Sequence, residues 1–281
     1  MDPRDHRRLR QQLITDQLLG VDAVPIRAHE TITPPVTPST EKTTTRTEQH
    51  SPPARAQSNV SNAVSPRLID ESVPMQTLTH PQKLDILQSL SAQVSTCTAC
   101  GLAAGRTQTV FGEGNPDADI MFIGEGPGQN EDEQGRPFVG RAGQLLDKQI
   151  VAMGLERSEV YIANVVKCRP PGNRNPQADE VEACSGYLKK QIETIQPKAI
   201  VTLGGPAAKL ILATAEGITR IRGTWHTYPA VNPPVPVMPT FHPAYLLRSY
   251  TVENRKKVWS DLCAVLEKLG RTPPTPPKPA S

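Results

Sequence analysis

Aromatic residues are scarce in this 281-residue chain, at 4% of the sequence, and the first 110 residues contain none. Gly20 is the only glycine before Gly101, and no cysteine precedes Cys97. A stretch without aromatic side chains buries too little apolar area to offset the entropy that ordering costs. The sequence therefore predicts that the folded part lies in the later two-thirds of the chain.

Long apolar runs are also missing. No segment approaches the roughly 20 apolar residues that span a bilayer, and the charged N-terminus lacks the apolar stretch of a secretory signal. With five cysteines and no export signal, a disulfide scaffold is disfavoured relative to metal binding or burial. We expect no membrane association and a cytoplasmic, nucleoid-associated protein, whose net charge of +3 permits an anionic partner.

Proline outnumbers glycine by 29 to 19, and its distribution suggests three parts. Residues 1–79 are rich in threonine and proline and are predicted to be a disordered extension, in which residues 1–20 could form a short helix for weak docking of a partner. Residues 80–270 are predicted to be one folded domain. The proline-rich tail, residues 271–281, is predicted to be disordered.

Strand and helix patterns alternate within the predicted domain. Short apolar or β-branched runs predict strands at residues 118–123, 160–166 and 199–203, and helical spacing of apolar residues predicts helices at 143–153, 206–213 and 252–269, with a helix start at Asn175–Pro176. This alternation predicts a largely parallel sheet covered on both faces. Because ligands bind beyond the carboxyl ends of such strands, the turns after residues 123, 166 and 203 should line one cleft.

Four cysteines suggest a shared ligand set. Cys97 and Cys100 form a CxxC pair, Cys168 follows the second predicted strand, and Cys184 lies in the next helix. Four thiolates suit tetrahedral zinc or a four-iron, four-sulfur cluster, and a redox-active CxxC with two core cysteines is the alternative. Cys263 lies among apolar residues and is assigned to core packing.

A glycine-rich turn at residues 124–128 follows the first predicted strand. Glu125 and Glu131 make this region acidic, and no phosphate-loop lysine balances them, so a phosphate site is disfavoured. The alternating glycines allow the backbone to approach a ligand closely. The turn is therefore predicted to meet a neutral, polar group.

Two residues could recognise a planar ligand. Phe138 lies between glycines outside any regular element, where it either stacks on a ligand or closes a loop against the core. Asn164 lies inside an apolar strand, where its amide either reads the edge of a base or satisfies a loop. The residues alone leave both pairs of alternatives open.

Two further segments carry basic residues. Residues 167–174 form a stiff, basic, proline-containing loop that could press against a phosphate backbone or simply be solvated. His242 lies at the end of a short strand and is followed by Leu246, Leu247 and Arg248. An exposed leucine pair beside an arginine is suited to act as a wedge in a base stack.

Together these segments resemble a known family. The motifs that carry the resemblance are residues 124–128 (GEGPG), 135–140 (GRPFVG), 163–171 (ANVVKCRPP) and 242–248 (HPAYLLR). They closely resemble those of the family 4 uracil-DNA glycosylases, bacterial and archaeal repair enzymes that carry a four-iron, four-sulfur cluster. The resemblance covers residues 92–268 and implies a three-layer α/β/α fold around a central, largely parallel four-stranded sheet.

The resemblance also implies roles for individual residues. Glu125 and Gly126 would shape the uracil pocket, Phe138 would stack on the flipped base, and Asn164 would hydrogen-bond its polar edge. His242 would stabilise negative charge on the departing uracil. Glu131 would crowd the C5 position and so exclude the methyl group of thymine.

Further implied roles concern DNA and the cluster. Leu246 would fill the space that the flipped base leaves, and Arg169, Pro170 and Arg248 would contact DNA. The cluster ligands would be the four cysteines of the shared set, Cys97, Cys100, Cys168 and Cys184.

The implied function is excision of uracil from single- and double-stranded DNA by a monomeric enzyme, which leaves an abasic site for base excision repair. Gly126 occupies the place where the first family of these enzymes carries a water-activating aspartate. Either bond breaking is mostly dissociative, which we expect, or another group positions the water. Residues 169–175 contain no histidine that could capture the sugar covalently, which predicts hydrolytic turnover. The competing hypotheses are a catalytically idle DNA-binding scaffold and a zinc-stapled hydrolase.

Overall fold

The computed structural model of the protein describes residues 78–274. The predictions for residues 1–77, including the helix of residues 1–20, and for the tail beyond residue 274 lie outside the described residues.

Helices of the described part are α1 (His80–Ser95), α2 (Gln129–Gln134), α3 (Arg141–Ala152), α4 (Ala178–Ile195), α5 (Gly205–Leu212), α6 (Ile218–Ile221), α7 (Pro243–Arg248) and α8 (Val252–Lys268). Its strands are β1 (Glu113–Gly114), β2 (Ile120–Gly124), β3 (Tyr161–Asn164), β4 (Ala199–Leu203), β5 (His226–Tyr228) and β6 (Val235–Thr240).

These strands form one sheet in the order β1-β3-β2-β4-β6-β5. The central pairs β3–β2, β2–β4 and β4–β6 are parallel, and β1 and β5 pair antiparallel at the two edges. The predicted α/β fold with four central parallel strands is confirmed, and the two short edge strands bring the sheet to six. Every residue of β2, β3 and β4 is buried, as expected for strands covered on both faces.

Side chains of β2 alternate between two apolar clusters. Ile120 and Phe122 pack on one face of the sheet with residues of α3 and α8. Met121 and Ile123 pack on the other face with residues of α1, α4 and α5. Because successive side chains of a strand point to opposite faces, this division gives the three layers that the resemblance implied.

The predicted start of α4 is two residues too early. The helix begins at Ala178, after Gln177, and Asn175 and Pro176 belong to the extended segment before it. The carboxylate of Glu180 accepts a hydrogen bond from the backbone N–H of Gln177 at 2.7 Å, which satisfies a donor at the helix start.

Within residues 78–274, no helix combines the length and apolar character needed to cross a bilayer.

Candidate active site

A cleft of about 620 Å³ opens at the carboxyl ends of the parallel strands. Its lining includes Glu125 after β2, Pro170 in the segment after β3, Gly204 after β4 and His242 after β6. The turns that the sequence predicted to share a cleft are therefore brought together by the sheet. The turn after β6 joins them and contributes the histidine.

The floor of the cleft requires glycine at two positions. A Cβ atom on Gly124 would lie 2.4 Å from Oδ1 of Asn164 and 2.6 Å from the ring of Phe138. A Cβ atom on Gly126 would lie 2.8 Å from a methyl group of Val166. Such distances are too short for carbon, so glycine at position 124 leaves room for Asn164 and Phe138, and glycine at position 126 leaves room for Val166.

Phe138 and His242 lie side by side in the cleft. Their ring centroids are 5.7 Å apart and their planes differ by 29°, so the two rings are stacked. Phe138 has a positive φ of 52°, which is unusual for an aromatic residue. The preceding Pro137 is held through its carbonyl oxygen, which accepts a hydrogen bond of 2.6 Å from Arg157. The loop is thus fixed in a shape that presents the phenyl ring to the cleft.

Asn164 is the last residue of β3 and lines the cleft with an unsatisfied atom. Its side chain is buried, with 2% of the residue exposed, and Oδ1 has no hydrogen-bond partner among the described residues. A buried acceptor without a partner costs about 1–3 kcal/mol. A ligand with an N–H group at this point would remove that cost.

The hydrogen bonding of His242 fixes its tautomer. Nδ1 accepts a hydrogen bond from the backbone N–H of Ala244 at 3.0 Å, so in the neutral ring the proton lies on Nε2. Burial, together with the positive charge of Arg248, lowers the pKa of His242 to about 4, while Glu131 acts in the opposite direction. At neutral pH the cleft therefore contains an uncharged imidazole with one N–H donor.

Glu125 and Glu131 differ in their partners. Oε1 of Glu125 is buried without a hydrogen-bond partner in the described part, and burial raises the pKa of this carboxyl group. The carboxylate of Glu131 accepts hydrogen bonds from the backbone N–H groups of Gly128, Val139 and Gly140, at 3.1, 2.9 and 2.8 Å. Glu125 is thus available to a ligand, whereas Glu131 joins α2 to the loop that carries Phe138.

The four cysteines of the predicted ligand set line a second cavity. Cys97 and Cys100 follow α1, Cys168 follows β3 and Cys184 lies on α4, and all four line the same space. None of them forms a disulfide. Burial raises the pKa of both Cys168 and Cys184. Cys263 lies on α8 and does not line this cavity, in agreement with its assignment to packing.

Two of the four sulfur atoms accept hydrogen bonds from nitrogen. The guanidinium group of Arg106 donates to Sγ of Cys168 at 3.3 Å, and the backbone N–H of Lys167 donates to Sγ of Cys184 at 3.3 Å. Among residues 78–274, no three His, Cys, Asp or Glu side chains converge closely enough to hold a single metal ion. Four cysteine side chains around one shared space are the donor set that a four-iron cluster requires, so the residues present fit that group.

The sequence of the described domain is similar to those of known proteins. A family model, the Uracil DNA glycosylase superfamily, matches residues 111–263, which is more than half of the chain. The type-4 uracil-DNA glycosylase of Sulfurisphaera tokodaii is 45% identical over 195 residues, which span 68% of this chain and 87% of that protein. The chain belongs to the uracil-DNA glycosylase superfamily.

Two further relatives carry the same type-4 name. That of Thermotoga maritima is 46% identical over 179 residues, covering 63% of this chain and 92% of the relative. That of Archaeoglobus fulgidus is 39% identical over 196 residues, covering 68% of this chain and 98% of the relative. The family resemblance that the motifs indicated is thus confirmed, and the type-4 enzymes are the relevant group within the superfamily.

One residue expected from the glycosylase motifs is not in the cleft. Leu246, the predicted wedge, is fully buried in the apolar core, and its neighbour Leu247 is 36% exposed. Both lie on the short helix α7, where adjacent residues point about 100° apart. The expectation that Leu246 is the exposed leucine is therefore wrong, because the rotation of α7 turns this side chain inward.

The other residues predicted to contact DNA in this glycosylase domain also differ in whether they line the cleft. Pro170 and Arg248 line the cleft, whereas Arg169 lies outside its lining and donates to Oδ1 of Asn173 at 2.8 Å. Lys167, placed by sequence in an exposed basic loop, is fully buried instead. Arg174, the last residue of the predicted basic loop, lines the cleft but forms two hydrogen bonds to the carboxylate of Glu180.

Proposed function

We propose that this protein is a uracil-DNA glycosylase that flips uracil out of single- or double-stranded DNA and hydrolyses its N-glycosidic bond. The product is an abasic site for base excision repair. The observation that carries the proposal is the meeting of Phe138, Asn164 and His242 in one cleft, with Oδ1 of Asn164 buried and unpartnered. Membership of the superfamily and the type-4 relatives support it.

The side chain of Asn164 accounts for base selection. Uracil presents an N–H donor beside a carbonyl acceptor, and an asparagine amide offers the complementary acceptor and donor. Cytosine presents an acceptor and an amino group at the same edge, so it would leave the buried amide unsatisfied. Phe138 stacks on the face of the flipped base.

Thymine presents the same polar edge as uracil and differs by its C5 methyl group. We assign its exclusion to the wall of the cleft at Glu131, whose carboxylate is held in place by three backbone N–H groups. A wall fixed in this way cannot move aside for a methyl group without breaking those hydrogen bonds.

His242 stabilises the leaving group. Cleavage of the glycosidic bond places negative charge on the base, and the Nε2–H of the neutral imidazole donates to the uracil oxygen on which that charge develops. A preorganised donor of this kind contributes about 3 kcal/mol to transition-state stabilisation. Because Nδ1 is engaged by Ala244, the donor is already oriented before the base arrives.

Glu125 acts on the sugar. Bond cleavage leaves positive charge on the deoxyribose, and the ionised carboxylate of Glu125 stabilises that charge and orients the attacking water. Gly126 supplies no carboxylate in the turn, so the reaction is mostly dissociative and water attacks after the bond has broken. No histidine lies in residues 169–175, so the intermediate is hydrolysed and not captured.

Cys97, Cys100, Cys168 and Cys184 would hold a four-iron, four-sulfur cluster. When bound, the cluster supplies a covalent cross-link between the loop after α1, the end of β3 and helix α4. These elements otherwise meet only through side-chain packing and hydrogen bonds. The ligand set is therefore proposed to be structural, and no chemical step involves it.

DNA is bound at the rim of the cleft. Arg248 and Pro170 contact the strand that carries the uracil, and Arg169 contacts a phosphate farther out. Leu247, and not Leu246, fills the space left by the base, because it is the exposed leucine of α7. The cleft is complete within one chain, which supports a monomeric enzyme.

The proposal is tested by measuring uracil release and iron on the same preparation. Wild-type protein with its full iron content is incubated with single- and double-stranded oligonucleotides that carry one uracil, and matched oligonucleotides carry thymine. We expect free uracil from both uracil substrates, no thymine, and alkali-sensitive abasic sites. Absence of uracil release from an iron-loaded preparation would leave the idle DNA-binding scaffold as the better account.

A further inference from the structure

Lys167 is a buried lysine between the cleft and the cysteine cavity. Only 1% of the residue is exposed, and it lies three positions after Asn164 and one before Cys168. Lysine is almost never fully buried unless its charge is compensated. The base-recognition chemistry described above makes no use of this residue, so its burial requires another explanation.

On the cleft side, the ammonium group holds the end of β3. Nζ donates to the backbone carbonyl of Asn164 at 2.9 Å and to Oε1 of Gln191 at 2.6 Å. Gln191 is itself fixed, because its Nε2 donates to the carbonyl of Phe111 at 2.9 Å. The position of the Asn164 backbone therefore depends on a chain of hydrogen bonds that passes through Lys167.

On the other side, the backbone of Lys167 belongs to the cysteine cavity. Its N–H donates to Sγ of Cys184 at 3.3 Å, and its carbonyl accepts from the N–H of Val110 at 2.7 Å. Lys167 is thus tied to a cysteine of the ligand set and to Asn164 at the same time. Both ties are short, and all the groups concerned are buried.

The remaining surroundings of the ammonium group are also buried. Nζ lies 5.8 Å from the centroid of the Phe111 ring, and the carbonyl of the same Phe111 holds Gln191. A buried ammonium group is costly unless neighbouring groups compensate it, so these few contacts fix its position.

We propose that Lys167 is a positioning residue that couples the cysteine cavity to Asn164. The backbone of Lys167 is held at the cavity by its hydrogen bond to Sγ of Cys184, and its ammonium group fixes the carbonyl of Asn164 and with it the direction of the amide. The inference rests on the proposed function, since it concerns the residue that reads uracil. This coupling is a physical route by which a cluster held in the cavity would affect the catalytic site.

A double-mutant cycle tests this coupling. Lys167→Met removes the charge and the donors while keeping most of the volume, and it is combined with Asn164→Ala. Lys190→Met is the matched control, because Lys190 lies on α4 with 53% of its side chain exposed. Single-turnover uracil release, KM, iron content and the rate of iron loss to a chelator are measured for each protein.

We expect Lys167→Met to slow uracil release about 10- to 100-fold, the effect of misplacing a reacting group by about 1 Å. In the Asn164→Ala background the same change should slow release less than about 3-fold, because the amide to be positioned is gone. Iron should be lost to the chelator several-fold faster than from wild type. Lys190→Met should match wild type in all measurements.

Equal slowing by Lys167→Met in both backgrounds would overturn the inference, as would release and iron loss within about 2-fold of wild type. If Lys167→Met fails to retain iron during purification, the same cycle is run with Gln191→Leu, which leaves the lysine but removes one of its acceptors, and the same criterion decides. Failure of the proposed function is seen separately, as absence of uracil release from the wild type.

Discussion

The cleft and the cysteine cavity lie at opposite ends of the short segment from Asn164 to Cys168. They differ in whether their buried polar groups have hydrogen-bond partners within the protein. In the cleft, Oδ1 of Asn164 and Oε1 of Glu125 are buried without partners in the described part of the chain. In the cavity, the sulfur atoms of Cys168 and Cys184 each receive a hydrogen bond from nitrogen.

This difference distinguishes two kinds of binding. Unsatisfied buried groups are costly in the free protein, and they are retained where a substrate satisfies them and then leaves. Groups that already have protein partners suit a bound group that stays in place through every turnover. We therefore expect the occupant of the cleft to exchange and that of the cavity to stay bound, a contrast that variants of the two sites can test.

The largest effects should separate the two sites completely. His242→Ala removes the donor to the leaving group and should slow uracil release about 10²- to 10³-fold with iron content unchanged. Cys184→Ala should instead lose iron and lower the melting temperature. Both are measured by uracil release, iron analysis and thermal unfolding.

Cys263→Ala is the control for this comparison, because Cys263 lies on α8 outside the cavity and should retain iron and activity. The contrast between the sites fails if His242→Ala loses iron, or if Cys184→Ala keeps its iron and its stability.

The second prediction concerns the two leucines of α7. Leu246→Ala leaves a cavity in the core and should lower the free energy of unfolding by about 2–5 kcal/mol. Leu247→Ala should change it by less than about 0.5 kcal/mol, because that side chain is exposed, and should reduce uracil release from duplex DNA more than from single strands. Denaturant unfolding and release assays check both. The opposite assignment, with stability lost at Leu247, would restore Leu246 as the wedge.

Much of the fold could be predicted because the central strands carry strong local signals. The apolar runs at β2 and β4 and the helical spacing in α3 and α8 were each identified from the sequence. The bounds of β6 were not, because Pro236 and Pro239 lie within it, and proline has no N–H for a sheet. The edge strand β1 has two residues, too few to show a period.

The sequence predicted which residues form the site, but it did not predict which way all of their side chains face. The resemblance and the strand pattern together brought Phe138, Asn164 and His242 to one cleft. Whether Leu246 or Leu247 faces outward depends on the rotation of a six-residue helix, which two adjacent apolar residues cannot reveal. The burial of Lys167 was missed because one of its two hydrogen-bond partners, Gln191, lies 24 residues away in the sequence.

The third prediction concerns pH and His242. Its pKa is about 4 in the folded protein and about 6.5 when unfolded, so the unfolded state binds more protons between these values. Stability should therefore fall as pH decreases from about 6.5 to about 4, and this part of the slope should vanish in His242→Gln. Chemical denaturation at a series of pH values measures it.

Cys263→Ala provides the contrast for the pH experiment, because Cys263 lies outside both sites and this variant should keep the wild-type slope. If His242→Gln keeps the full slope between pH 6.5 and 4, the imidazole is not held neutral by burial, and the assignment of Nε2–H as the donor at acidic pH loses its basis.

The smallest effect is expected for Glu131→Gln, which keeps the size of the side chain but replaces one carboxylate oxygen with an amide nitrogen. The backbone N–H of Gly128 then faces a donor, while the N–H groups of Val139 and Gly140 keep their oxygen acceptor. One lost hydrogen bond corresponds to about 1 kcal/mol, or roughly a 5-fold rise in KM with kcat little changed. If Glu131 acted only as a steric wall against thymine, the variant of equal size would bind uracil DNA as well as wild type, so an unchanged KM would remove its anchoring role.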